Sequence, residues 1–162
     1  VKPHGLYAMT ATHMIETTRF GALEFTTEDV VEFSDGLVGF PDVKRFVLIQ
    51  HKEGSPYRWL QSLDLGDLAF LVVDPSVYVS EYAPDMPRSF ADSLQMQEDT
   101  PRLVYTIVTI PRGRPEEMTL NLAGPIVINL ATQRAAQIVL EDDRFPIRFR
   151  VFQSGASGDE AA

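Results

Sequence analysis

The sequence predicts a mainly β chain: one domain, a barrel-like antiparallel fold with one or two short helices. Three observations carry that expectation. Short runs rich in Val, Ile, Thr and Leu recur between turn formers, at the spacing of about 8–12 residues typical of sandwiches and barrels. Two of those runs, 46–50 and 68–73, are apolar on both faces, as buried strands are. Helical periodicity is confined to one stretch, 87–96, where Phe90 and Leu94 stand at i, i+4 behind Pro87.

In order, 15–19 and 23–25 flank Phe20-Gly21-Ala22 and read as a hairpin. The run 30–33 ends at the Ser34-Asp35-Gly36 turn, and a half-turn is expected at 41–45 before the strand 46–50. Gly54-Ser55-Pro56 turns into 57–63, where Trp59 is expected to anchor the core, as are the nearby aromatics Phe40 and Tyr57. The run 68–73 stops at Asp74-Pro75. Later strands are expected at 103–110, 118–122, 126–130 and 137–140, with a last one at 147–151. Closing such strands on themselves removes the unpaired edges that they otherwise present.

The length of 162 residues suits a single domain. Residues 1–13 have no sustained period and read as a leader or an expression remnant, with Met14 as the native start. The folded domain is then 14–152, and 153–162, made of Gly, Ser, Ala and acid, reads as a disordered tail. The net charge is −9, and removing Lys2, Asp159 and Glu160 with the ends leaves 13 bases against 21 acids, a net of −8. The acidity belongs to the domain. That balance argues against direct nucleic-acid binding, which needs a basic stripe, and the eleven Arg and three Lys are scattered. With no cysteine, thiolate catalysis and disulfides are excluded. No apolar run exceeds six residues, against about 20 for a membrane-spanning helix.

Chemistry-bearing motifs are sparse. Outside 1–13 the one histidine is His51, and no Gly-x-Ser-x-Gly elbow accompanies it. Zinc lacks nitrogen and sulfur ligands here, and no phosphate-cradling glycine loop exists, so neither metal nor cofactor is expected. Carboxylates remain: Asp64 and Asp67 with Asp74 around one strand, and Glu141-Asp142-Asp143 after another. They read first as turn and surface residues, and alternatively as the acids of a small carboxylate-dependent β-barrel hydrolase using Asp64, Asp67 or Glu141. A barrel that binds a small ligand is a third reading. Asp64, Asp67, Glu141 and Asp142 are also the natural contacts for a basic protein partner. Pro125, framed by Asn121 and Asn129, lacks a donor and is expected at an edge strand or bulge, which would let a partner strand add at 121–129.

Several blocks taken together are more specific than any of these. Phe20-Gly21, the VVEF of 30–33 and Asp35-Gly36-Leu37-Val38-Gly39-Phe40 precede Trp59-Leu60-Gln61-Ser62-Leu63-Asp64. Leu68-Ala69-Phe70, Asp74-Pro75 and Asn121-Leu122-Ala123-Gly124-Pro125-Ile126-Val127-Ile128-Asn129 follow, then Gln137-Ile138-Val139-Leu140. In order and spacing this resembles the flagellar assembly factor FliW family over about 14–149; one departure is Gly124, where that pattern has Ala. The resemblance implies a cytoplasmic, non-enzymatic β-barrel protein that binds newly made flagellin as a chaperone. It also implies binding to the basic RNA-binding translational regulator CsrA, whose repression of flagellin translation is relieved when exported flagellin frees the factor.

Overall fold

A computed structural model describes residues 11–152; the leader and tail readings for 1–10 and 153–162 lie outside the described residues. The first two strands, β1 (Thr12–Thr17) and β2 (Gly21–Thr26), form a separate antiparallel hairpin. It begins earlier than expected. His13, set above in the leader, pairs with Phe25 and stacks on its ring with centroids 5.4 Å apart.

The remaining strands are β3 (Val31–Phe33), β4 (Arg45–Gln50), β5 (Tyr57–Ser62), β6 (Ala69–Val73), β7 (Arg102–Thr109), β8 (Thr119–Leu120), β9 (Ile126–Asn129), β10 (Arg134–Gln137) and β11 (Phe149–Arg150). Seven of them close a barrel in the order β7-β6-β5-β4-β3-β10-β9, with β9 pairing back onto β7. The pairings are antiparallel except β3 with β10, where Glu32 and Phe33 lie beside Arg134 and Ala135 in parallel. The short strands β8 and β11 extend one side from β7.

Alternation decides which side chains enter the lumen. Val31 and Phe33 point in while Glu32 stays exposed. Phe33 meets Phe46 edge-on at 5.2 Å, and Phe40 meets Phe70 likewise at 5.5 Å, so Phe40 is a core residue. Burying Phe33 and Phe46 completely stabilises the barrel by about 2 kcal/mol each. β9 breaks the alternation because both its faces are covered. Ile126 and Ile128 fill the lumen, while Val127 packs outward under Leu94, Met96 and Ile138. Leu94 follows a helix, α1 (Arg88–Ser93), only six residues long, which ends as Gln95 turns left-handed at φ 57°. Gly36 is required where it stands: its φ is +67°, and a Cβ there would lie 2.3 Å from the Phe40 carbonyl oxygen.

Several expectations are corrected. Trp59 is not in the core. It alternates outward from buried Leu60 and lies half-exposed, with the Arg19 guanidinium 3.9 Å from its ring centroid and Phe20 edge-on. The strand expected at 137–140 sits at β10, three residues earlier, where Ala135 pairs with Phe33 and is buried in the lumen. The runs 118–122 and 147–151 shrink to the two-residue β8 and β11. Nor is the 121–129 block an edge. β9 is paired on both sides, so strand addition has no free backbone to use there.

Candidate interaction surface

Asp64 and Asp67 share the corner that joins β5 to β6, yet they do different things. One Asp64 oxygen accepts from the backbone N–H groups of Lys44 at 2.8 Å and Arg45 at 3.1 Å; the other accepts from Arg45 Nε at 3.2 Å. Burial works to raise its pKa, but the two backbone donors and Arg45 outweigh it and hold the carboxyl below its ordinary value. The Ser62 hydroxyl completes the corner by accepting from the N–H groups of Asp64 and Leu65. A catalytic role for Asp64 would therefore need a carboxylate that three donors already hold. Asp67 is exposed, with no side-chain hydrogen bond or ion pair among the described residues. No group of three or more His, Cys, Asp or Glu able to hold a metal occurs among them either.

In the 121–129 block, each named residue ties structure together. Asn121 accepts from Ala123 N–H at 3.1 Å through its side chain. Pro125 is buried just before β9, the position in a strand where a missing donor costs least, and its carbonyl accepts from Ile138 at 2.8 Å. Asn129 is 1% exposed. Its Nδ2 donates to the Leu94 carbonyl at 2.7 Å and its Oδ1 accepts from Ala131 at 2.8 Å, so it fastens the end of α1 to the barrel. At the other end of the β9–β10 ladder, opposite Ile126, Gln137 bridges two loops, accepting from Val38 N–H and donating to the Gly124 carbonyl. A Cβ at Gly124 would stand 2.8 Å from Gln137 Nε2 and 2.9 Å from Asn121 Nδ2.

Glu141 is exposed. Asp142 folds its own loop: Arg144 approaches it with Nη2 at 2.7 Å and Nε at 3.1 Å, which holds the Asp142 carboxyl below its usual range. The structure thus leaves Asp67 and Glu141 as the unengaged members of the expected acidic contacts.

A groove of about 540 Å³ runs over the outer barrel wall, between the 74–76 turn and the segment 82–86. Its apolar floor includes Leu103, Val104, Pro125, Val127 and Ile138, and Tyr82 borders it, with its hydroxyl donating to the Leu122 carbonyl at 2.6 Å. Burial raises the Tyr82 phenol well above its ordinary pKa, while Asp74, Asp85 and Arg102 put charge on the groove's rim.

A family model described as FliW protein matches residues 13–151. The chain belongs to the FliW family. Relatives described as flagellar assembly factor FliW include one from Magnetococcus marinus, 40% identical over 79% of each chain, and one from Syntrophus aciditrophicus, 38% identical over 86% of this chain and 88% of the other. A crystal structure of the flagellar assembly factor FliW superposes with a TM-score of 0.79 at 30% identity, covering 86% of this chain and 97% of that one. The FliW match takes in the closed barrel, the groove and every acid and amide discussed above.

One residue of the FliW-like Trp59-Leu60-Gln61-Ser62 block escaped the sequence reading. Gln61 is completely buried, and among the described residues it is the one long polar side chain so placed. The signal was present as an amide next to Leu60 in the strand-like run 57–63, where burial of an amide needs a partner.

Proposed function

We propose that this chain is a cytoplasmic, non-enzymatic flagellar assembly factor that binds flagellin as a chaperone and binds and antagonises the basic translational regulator CsrA. Flagellin and CsrA would exchange on it, so that flagellin export frees the factor to relieve repression of flagellin translation. The observation that carries this reading is the FliW match across nearly the whole described chain. Physical features support it. The groove offers an apolar wall of the kind that accepts the apolar face of a helix, the mode expected for flagellin's helical ends. The net charge of −9 attracts a basic partner and repels RNA phosphates beside it.

The test is co-purification with flagellin and with CsrA at about 50 mM and about 300 mM salt. Retention of both, with CsrA released preferentially at the higher salt, is the expected result. Retention of neither would overturn the reading. A CsrA affinity indifferent to salt would leave the partners and remove the electrostatic mechanism.

A further inference from the structure

The corner between β5 and β6 holds a buried acceptor without a donor. The Gln61 amide nitrogen donates to three carbonyls, Ser62 at 2.9 Å, Gly66 at 3.2 Å and Leu68 at 3.2 Å. Those bonds fix the orientation of the amide, because a flip would set Oε1 against three carbonyl oxygens. Oε1 is therefore the end left over, and it is buried with no hydrogen-bond partner. An unpaired buried carbonyl is costly, so its retention calls for a donor that arrives from outside.

Gln61 lines a recess of about 280 Å³ together with Thr18, Arg19, Gly66, Asp67 and Ala69. Two charges stand there. The Arg19 guanidinium already lies against the Trp59 ring. The Asp67 carboxylate is exposed, with no side-chain partner among the described residues. The carbonyls of Gly66 and Leu68 also turn toward this corner, and each already accepts both a backbone N–H and the Gln61 amide. Unsatisfied acceptor and unpaired anion thus occupy one small recess in an acidic protein.

We propose that this recess is a docking point for a single lysine or arginine side chain on a protein partner. Its charge pairs with the exposed Asp67, and its N–H group donates to Gln61 Oε1, an atom closed to solvent here that docking uncovers. This deepens the functional reading above by naming a contact point. The following test uses small cations only, so it can fail while binding of either named protein stands, and the reverse.

Butylammonium and methylguanidinium are titrated into the full chain, with acetamide as the neutral probe, and ¹⁵N NMR follows the Gln61 side-chain amide and the backbone of Gly66, Asp67 and Leu68. Both cations are expected to give saturable shifts there, and acetamide none. Asp67→Asn, at an exposed position, is expected to weaken binding about two- to fivefold, as loss of a partly solvated ion pair does. Ala69→Val, directly across the ladder from Gln61, narrows the recess without touching its charge and is expected to abolish the shifts in a chain that still melts cooperatively. Acetamide acting as well as the cations would overturn the proposal. So would shifts spread over other acids and indifferent to Asp67→Asn. The absence of any saturable shift would overturn it too.

Discussion

Two aspartate–arginine pairs in this protein look alike on paper and differ in what they join. Asp142 and Arg144 are two residues apart and meet at 2.7 Å; Asp64 and Arg45 are 19 apart and meet at 3.2 Å. The shorter pair closes a loop that the chain had already nearly closed. The longer pair couples the start of β4 to the β5–β6 corner, and the same carboxylate holds two backbone N–H groups of β4's approach. The two carboxylates are almost equally exposed, 28% for Asp64 and 34% for Asp142, so it is the backbone donors and the span of chain that set the pairs apart. Distance alone ranks the pairs the wrong way. What matters is how much chain entropy the contact removes and how many donors would otherwise lack an acceptor.

The sharpest way to test the importance of the β5–β6 corner is to move its backbone. A Cβ on Gly66 would lie 2.2 Å from the Glu16 carbonyl oxygen, in the hairpin strand that the corner holds through the bond from Thr18 N–H to the Gly66 carbonyl. Backbone cannot yield as a flexible side chain does. Gly66→Ala is expected to cost about 1–3 kcal/mol by urea denaturation, the usual range for overpacking. A free energy unchanged by Gly66→Ala would mean that the hairpin is not seated on the corner.

Next in size is Asp64→Ala, which leaves the N–H groups of Lys44 and Arg45 without their acceptor and is expected to cost about 1–2 kcal/mol. Acid titration separates this from simple loss of packing. The Asp64 carboxyl is held below its ordinary value in the fold, so its contribution is complete above about 3.9, the unfolded value. It is then lost as the pH falls through the lower folded value. The stability gap between the parent chain and Asp64→Asn should therefore be constant near neutrality and close on acidification. A gap that widened toward low pH would contradict the assignment of those donors to the charged carboxylate.

This asymmetry shows what was legible in the sequence. The β class and the runs at β4, β5, β6 and β7 follow from β-branched and aromatic residues between turn formers, because local pattern and burial agree there. β10 was misplaced because Ala135 and Ala136 carry no strand signal; their place is set by the lumen beside Phe33 and by the outer face under α1. Trp59 was misplaced for a related reason. Its size argued for the core, but the register with Leu60 sends it outward to Arg19. Both aspartates read equally as turn acids, since nothing local to Asp64 announces that Lys44 and Arg45 will arrive beneath it. Gln61 shows the limit in the other direction: its oddity could be seen in the run 57–63, but the unpaired Oε1 is a property of three converging carbonyls.

The smallest expected effect completes the comparison. Asp142→Ala removes every contact that Asp142 makes with Arg144, including the bond from the Arg144 N–H at 3.0 Å. All the groups it releases are at the surface, where water replaces the carboxylate, and the ordering of two side chains is no longer required. The Arg144 guanidinium still has the Phe145 ring, 5.1 Å from its carbon, and Phe145 still packs edge-on against Tyr82 at 5.2 Å. The loop therefore keeps its apolar anchor when its ion pair is gone. Thermal melts of Asp142→Ala and of the parent chain should coincide, at low salt as at high. A clear loss confined to low salt would show that this two-residue pair carries stability after all, and that the distance between partners along the chain is a poorer guide than Asp64 suggests.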